Sequence, residues 1–438
     1  MPLWSIAALA VVAGLAIGRF ATFGGGDDAP SGGESASQSA VAAGGGTLAS
    51  LEDAVDARPD DPTAWRSLGT AYVSQAVKTS DPAFYSLAER AFDRATDLAP
   101  DDPTILVGRG VLQLSLHRFA EAEALGQEAT RGLPGNADAL GVLVDAQVEL
   151  GRYDEAAETL QAMLDSRPGL PALARTSYLR ELRGDLAGAE EAMRRAAVAG
   201  SPATFDLATV TALLGDIQRA RGDLEAADGS YDEALRLSPD LVAADLGRAH
   251  VLAARGDLDG AVSVVSAVVE RFPAPTALFL LADLQEAAGD QQGEQDTVEL
   301  VRVTSKLQEA AGQVVDLELA LFEADLADDT ALAVELATAA HQARPDNVFT
   351  ADAMAWALHR AGDSAAALPF AEQAIRLGTA NPSLRYHAAE VFAAVGDETR
   401  AVEQLQAALT AGPSFSVRHE DAVAALARRL GVAIPAAS

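Results

Sequence analysis

The sequence predicts an all-α fold, a right-handed solenoid of about nine stacked helix hairpins. Helix-favouring residues dominate the 438-residue chain, only 5% of it is aromatic, and no long run rich in Val, Ile and Thr indicates strands. Pro100, Pro134 and Pro168 follow one another at a step of 34 residues. A short turn that begins with glycine also recurs along the chain. An array of repeated hairpins explains these three observations together, and it suits a chain too long for one ordinary core.

The first predicted element is a single N-terminal membrane helix within residues 1–23. Residues 2–18 are uncharged, and as a helix they span about 25 Å against a hydrocarbon core of about 30 Å. Extension through residues 20–23, with Arg19 reaching to the head groups, makes up the difference, and Trp4 is placed like an interfacial aromatic. A cleaved signal peptide and a buried helix are the alternatives, although no Lys or Arg precedes the apolar run.

Residues 24–47 are predicted to be a disordered, flexible linker. They are nearly all Gly, Ser, Ala and acidic residues, which bury too little apolar surface to fold. The signal-like segment and this linker favour an extracytoplasmic repeat domain, whereas Arg19 favours a cytoplasmic one by the positive-inside rule. We therefore expect a membrane protein with a single N-terminal anchor, and the side of its repeat domain stays open.

The repeat itself is clearest in the string from Trp65 to Tyr72, which reads W-x2-L-G-x2-Y and is followed by Ala88, Phe92 and Pro100. On a helix the Trp, Leu and Tyr share one face, the Gly lets a second helix approach closely, and the Pro ends the pair. This pattern resembles the tetratricopeptide repeat. The resemblance implies hairpins that bury their apolar faces only by stacking on their neighbours.

The turn inside the hairpins repeats as well, and glycine begins it at Gly151, Gly184, Gly222, Gly256, Gly362 and Gly396. Glycine supplies a left-handed helix end, and the Asp that follows five of these six residues caps the next helix. We place the array over residues 48–413 and a polar capping helix with a tail over 414–438. The repeats lie approximately at 62–102, 103–136, 137–170, 171–207, 208–241, 242–275, 276–313, 314–347, 348–381 and 382–413.

No motif in the sequence predicts a catalytic residue, a metal site or a cofactor. Neither Lys78 nor Lys306 follows a glycine, which excludes a phosphate-binding G-x4-G-K-[ST] loop, and no G-x-G-x-x-G or G-x-S-x-G string occurs. Cysteine is absent, and the six histidines never pair at i,i+3 or i,i+4. A net charge of -32 disfavours nucleic acid as a partner.

The resemblance also implies a place for a partner, because the first helix of each tetratricopeptide-repeat hairpin lines a concave groove. Positions 2, 5, 9, 12 and 13 of the repeat, counted near the C-terminal end, identify these candidates: Phe349, Asp352, Trp356, His359, Arg360, Tyr386 and Glu390. Aromatic side chains beside an arginine and carboxylates anchor and orient a peptide. The alternative is that Trp356 and Phe349 simply pack between helices. An acidic groove favours a partner segment of basic or mixed charge.

We therefore predict a non-catalytic scaffold, tethered to a membrane, whose groove binds proteins or peptides during assembly of a complex. The order of anchor, linker and repeats is similar to bacterial membrane-anchored tetratricopeptide-repeat subunits of cytochrome c assembly. An accessory subunit of an envelope biogenesis enzyme is thus one alternative, and a self-associating structural solenoid is another. The enzymatic alternative is an active site assembled on the solenoid from Glu390, His359 or His387.

Overall fold

A computed structural model describes residues 48–199, 205–314, 317–326, 329–410 and 415–435. In these ranges the chain forms 22 helices and no strand. The helices are α1 (Leu48–Ala57), α2 (Pro62–Thr79), α3 (Ala83–Leu98), α4 (Pro103–Ser115), α5 (Phe119–Gly132), α6 (Ala137–Glu149), α7 (Tyr153–Ser166), α8 (Leu170–Leu182), α9 (Leu186–Ala199), α10 (Phe205–Ala220), α11 (Leu224–Leu237), α12 (Val242–Ala254), α13 (Leu258–Arg271), α14 (Pro275–Ala287), α15 (Gln291–Ala310), α16 (Leu317–Asp325), α17 (Thr330–Ala343), α18 (Val348–Arg360), α19 (Ser364–Ala374), α20 (Pro382–Ala394), α21 (Glu398–Leu409) and α22 (Glu420–Leu430).

The predicted membrane helix and linker, residues 1–47, lie outside the described residues. None of the helices that the structure describes combines the length and the apolar character needed to cross a bilayer.

The helices from α2 to α21 pack as consecutive hairpins, so the all-α solenoid is confirmed. In the part of the chain that the structure describes there are ten such pairs, rather than about nine. The pair α16/α17 is atypical: α16 has only 9 residues, and Asp329 caps α17 without a glycine in the turn before it. The pair nevertheless lies within the predicted repeat at 314–347.

The hairpin turns have the geometry that their sequence predicts. Gly151 and Gly256 have φ angles of 78° and 84°, in the left-handed region where a side chain is strained. After Gly256, the Asp257 side chain accepts a hydrogen bond of 3.0 Å from the backbone N–H of Gly260 and so caps α13. Ser80 and His117 hold positive φ angles in the turns of the first two pairs, which lack this glycine.

The solenoid coils tightly enough for successive coils of the superhelix to touch. At the turn between α6 and α7, Glu149 accepts two hydrogen bonds across the contact: 3.3 Å from Arg344 Nη1 to its carboxylate and 2.9 Å from Asn347 Nδ2 to its carbonyl. The backbone N–H of Val348 donates to the hydroxyl of Tyr153 at 3.0 Å. These partners are 195 to 198 residues apart, so one superhelical coil takes between five and six hairpins.

Two neighbouring hairpin turns make the same kind of contact. Arg118, between α4 and α5, donates at 2.9 Å to the carbonyl of Gly312, 194 residues later. Gly184, between α8 and α9, lies so close to the carbonyl oxygen of Gly378 that a Cβ atom there would clash with it. Each of these turns thus meets the loop that ends the hairpin five pairs further along. We call this row of contacts the inter-coil contacts.

Candidate partner-binding groove

The seven candidate residues come together on two neighbouring first helices, α18 and α20. Trp356 is the centre of the group: the Tyr386 ring lies 5.8 Å from its ring, and the Arg360 guanidinium lies 5.7 Å from it. His359 stacks on the same indole at 5.4 Å. Glu390 accepts a hydrogen bond of 3.2 Å from the hydroxyl of Tyr386. Counting along the repeat therefore locates a real cluster of side chains.

This cluster is covered by the chain itself. Trp356 is only 2% exposed, and Phe349, Asp352 and Tyr386 are buried as well. Residues 415–430, which we call the C-terminal segment, form part of this cover at Trp356 and Tyr386. The side chains of this segment join the same hydrophobic cluster as those of α18 and α20 through Phe415, Val423, Leu426 and Ala427.

The C-terminal segment therefore does more than cap the end of the array. The ring of Phe415 lies 6.1 Å from that of Tyr386, and the imidazole of His419 meets Trp356 edge-on at 5.7 Å. Arg429 approaches the Glu390 carboxylate to 3.9 Å. Hence Trp356, Tyr386 and Glu390 pack against this segment, and the expected polar capping helix has a buried face that joins the same hydrophobic cluster.

Arg418 makes the strongest polar contacts of the C-terminal segment. Its side chain is 8% exposed and reaches three carboxylates at the seventh hairpin: Asp283 at 2.6 Å, Glu286 at 2.8 Å and Glu294 at 3.1 Å. We call these three residues the carboxylate pocket. Burial alone would lower the pKa of Arg418, but the three anions raise it further above its usual range.

Sequence reasoning missed the carboxylate pocket. Asp283 and Glu286 lie near the end of α14, where acidic residues are usually solvated, and their cationic partner is far away in the chain: 135 residues separate Arg418 from Asp283. A pattern with a step of 34 residues carries no information about a contact of that range.

A second buried carboxylate, Asp325 at the end of α16, ties the aromatic cluster together. It accepts a hydrogen bond of 2.7 Å from Trp356 Nε1 and one of 3.2 Å from Arg360. His419 Nε2 lies 3.4 Å from the same oxygen. Burial lowers the pKa of both His419 and His359 to about 4, so both imidazoles are neutral at pH 7.

His387 completes the group around Trp356. It stacks on the indole at 4.1 Å, and its Nδ1 lies 3.0 Å from the carboxylate of Asp352, where both side chains are buried. The three histidines are thus packing and hydrogen-bonding groups. Among the described residues, no set of three or more His, Asp or Glu side chains is arranged to hold a metal ion.

Two buried acidic residues of the first coil pair with the chain's own arginines. Asp145 on α6 receives two hydrogen bonds from Arg175 on α8, at 2.8 and 2.6 Å, and both side chains are buried. Glu149 pairs with Arg344 across the inter-coil contacts. A buried carboxylate requires such a partner. Asp145 and Glu149 are therefore not available to bind a basic segment of a partner protein.

Glu149 makes stability depend on pH. Burial raises its pKa to about 7, although Arg344 opposes this shift, while an unfolded glutamate titrates at about 4.3. Between these values the folded chain keeps a proton that the unfolded chain releases, so this residue lowers stability as pH rises from about 4 to about 7. We expect Glu149→Gln to reduce that fall, measured as the urea midpoint at a series of pH values.

Glu233→Gln is the matched control, because Glu233 is exposed and the hydrogen bond from Arg236 lowers its pKa. It should not reduce the fall. An unchanged pH profile for Glu149→Gln would mean that Glu149 is ionised in the folded chain at neutral pH.

Comparison with known proteins identifies repeats in this sequence. Family profiles described as tetratricopeptide repeat match residues 83–137, 113–176, 212–274, 246–294 and 353–414. In the crystal structure of the APC/C hetero-tetramer Cut9-Hcn1, the similar chain aligns over 92% of its length and 88% of this chain, with a TM-score of 0.40 and 14% identity.

Two curated bacterial proteins share part of the sequence. Cellulose synthase operon protein C of Xanthomonas axonopodis pv. citri is 30% identical over 200 residues, which cover 43% of this chain and 12% of that protein. The cytochrome c-type biogenesis protein CycH of Pseudomonas aeruginosa is 36% identical over 112 residues, 25% of this chain and 26% of its own length. The chain thus spans about a quarter or less of either relative.

Proposed function

Because the chain belongs to the tetratricopeptide-repeat family, we propose that it is a non-catalytic scaffold whose groove binds protein or peptide segments. The observation that supports this most is the groove over α18 and α20, which already holds a peptide, residues 415–430 of the same chain. A surface that holds one peptide through aromatic rings and ion pairs has the chemistry to hold another.

The scaffold is tethered to a membrane in this proposal. The uncharged residues 2–18, extended through residues 20–23, would anchor it, and the Gly/Ser-rich residues 24–47 would let the array reorient while it stays close to the bilayer. The similarity of part of the array to a cytochrome c-type biogenesis protein favours a second candidate, an accessory subunit of an envelope biogenesis complex.

Photo-crosslinking in cells tests the groove. A photoreactive residue placed at Arg360 or Glu390, which are partly exposed at the groove, should give distinct protein adducts. The same residue at Glu233 or Glu299, on exposed faces of second helices, should give few or none. The adducts are identified by mass spectrometry of the crosslinked bands.

Equal adduct patterns at the groove and at the control positions would contradict binding in the groove. The tether is checked in the same cells by fractionation: the full chain should sediment with membranes, and a chain that lacks residues 1–23 should not. A full chain that stays in the supernatant would remove the tether from the proposal.

A further inference from the structure

We infer that the groove and the carboxylate pocket together form a docking site for a partner peptide in which an arginine follows an aromatic residue by three positions, and that the C-terminal segment competes for this site. The inference rests on the proposed scaffold function and adds the chemistry of its partner. The pattern is that of Phe415 and Arg418, the two residues through which the C-terminal segment enters the site.

The carboxylate pocket is complementary to a guanidinium group in charge and in hydrogen-bond acceptors. Asp283 is almost completely buried, and Glu294 is largely buried beside it. With no cation between them, these carboxylates would be desolvated like charges, which is strongly unfavourable. A planar guanidinium presents five N–H donors and satisfies several carboxylates at once, as Arg418 does here, whereas an ammonium group concentrates its charge at one point. An arginine is therefore the side chain that this pocket selects.

The apolar part of the site adds a second requirement at a fixed spacing. Phe415 packs near Tyr386, and the carboxylate pocket lies at the other end of the contact, three residues further along the segment. At the arginine end, Arg418 Nη1 also donates to the backbone carbonyl of Asp325 at 3.5 Å. An aromatic residue and an arginine at this separation satisfy both ends together, so recognition depends on the pair.

The C-terminal segment is held by the groove rather than by the stacking of hairpins. Residues 415–419 precede α22 and are not helical, and α22 itself has 11 residues, fewer than an isolated helix needs to be stable in water. None of the helices that the structure describes pairs with α22 to form a hairpin. Its order therefore depends on its contacts with the array, and its release breaks no hairpin of the array.

An external peptide and the C-terminal segment cannot occupy the site together. The residues that repeat counting assigns to the partner, Trp356, Tyr386 and Glu390, are the ones that His419, Phe415 and Arg429 contact. The affinity for a partner is thus reduced by the free energy that holds the C-terminal segment in place. Weakening this segment should strengthen binding of the peptide.

The test uses the full chain with Trp4→Phe and Trp65→Phe, which leaves Trp356 as its one tryptophan. Arg418→Glu is added to expel the C-terminal segment by like-charge repulsion from the carboxylate pocket. We expect the emission of Trp356 to shift to longer wavelength and its quenching by acrylamide to rise. Arg236→Glu makes the same charge change at an exposed ion pair and should alter neither signal.

The probe is a fluorescent synthetic peptide with the sequence of residues 415–431. By fluorescence anisotropy, the Arg418→Glu chain should bind it at least tenfold more tightly than the Arg236→Glu chain does. A peptide with alanine in place of its first arginine should bind at least tenfold more weakly. A folded Arg418→Glu chain that keeps Trp356 buried, or that binds both peptides equally, would overturn the inference.

If Arg418→Glu does not fold, hydrogen exchange of the unaltered chain tests whether the peptide displaces the C-terminal segment. An excess of the peptide should speed exchange at the amides of α22 and leave the exchange of α4 and α5 unchanged; unchanged α22 amides would overturn the inference. Light scattering tests whether a second copy of this chain occupies the groove. A dimer in which Trp356 stays buried would assign the groove to the C-terminal segment of a second copy, against a partner peptide.

The two proposals fail in different ways. Adducts at Arg360 and Glu390 together with no arginine-dependent peptide binding would leave the scaffold function standing and remove the inference about its partner. Peptide binding with no adducts in cells would show a working site while contradicting the proposed function.

Discussion

Gly151→Ala is expected to destabilise the protein far more than an ordinary glycine replacement in a hairpin turn. A Cβ atom at Gly151 would lie only 2.5 Å from the backbone nitrogen of Asn347 in the next coil, in addition to the strain of a positive φ. Because backbone cannot rotate away as a side chain does, the coils must separate there. We expect a loss of about 4–6 kcal/mol, the sum of about 1–3 kcal/mol of strain and about 1 kcal/mol for each of the three inter-coil hydrogen bonds lost at this turn.

Gly256→Ala is the matched control, because Gly256 has nearly the same φ angle in an equivalent turn and nothing within 4 Å of an added Cβ. It should cost only the strain, about 1–3 kcal/mol. Urea unfolding followed by circular dichroism compares the two, and hydrogen exchange at residues 344–348 reports the inter-coil contacts directly. Equal losses for the two variants would show that the coils do not touch in solution.

Arg175→Met is expected to cost about 3–5 kcal/mol, because it leaves the Asp145 carboxylate buried without its partner. Arg175 is 5% exposed and donates through both Nε and Nη2, so water has no easy access to replace it. Burial already raises the pKa of Asp145 while Arg175 opposes that shift, and removal of the arginine leaves burial alone. The measurement is the midpoint of urea unfolding at pH 7.

Two further variants separate the buried charge from the loss of packing. Arg236→Met removes an arginine from an exposed pair with Glu233 and should leave the midpoint unchanged. The double variant Asp145→Leu, Arg175→Met removes both charges and should recover most of the lost stability. A double variant as unstable as Arg175→Met would mean that the packing of the arginine, and not its charge, carries the effect.

The helices that carry the candidate residues could be predicted, but the segment that packs on them could not. Repeat counting placed Trp356 and Tyr386 on neighbouring first helices, where their rings lie 5.8 Å apart, because the hairpin imposes the same orientation at every step of 34 residues. In the C-terminal segment, Arg418 contacts the carbonyl of Asp325 and the carboxylate of Asp283, which lie 93 and 135 residues earlier in the sequence. Contacts of this range depend on the curvature of the array, for which no local pattern exists.

The sequence by itself determined the hairpins, since every signal that builds them acts within a few residues. Glycine at the turn, aspartate at the cap and the apolar face from Trp65 to Tyr72 each work locally, and the turn signal recurs along the chain. Two hairpin turns that lack glycine have the same local geometry, because Ser80 and His117 adopt the left-handed conformation there.

Only the tertiary structure decided how the hairpins coil and what packs on α18 and α20. A small rotation between neighbouring hairpins accumulates over five to six pairs until Glu149 meets Arg344 and Gly184 meets Gly378. The same accumulated rotation brings the carboxylate pocket close to Arg418, and the C-terminal segment then packs on the buried Trp356. Because each step of that rotation depends on how whole helices pack, it appears in the folded array and not in the 34-residue pattern.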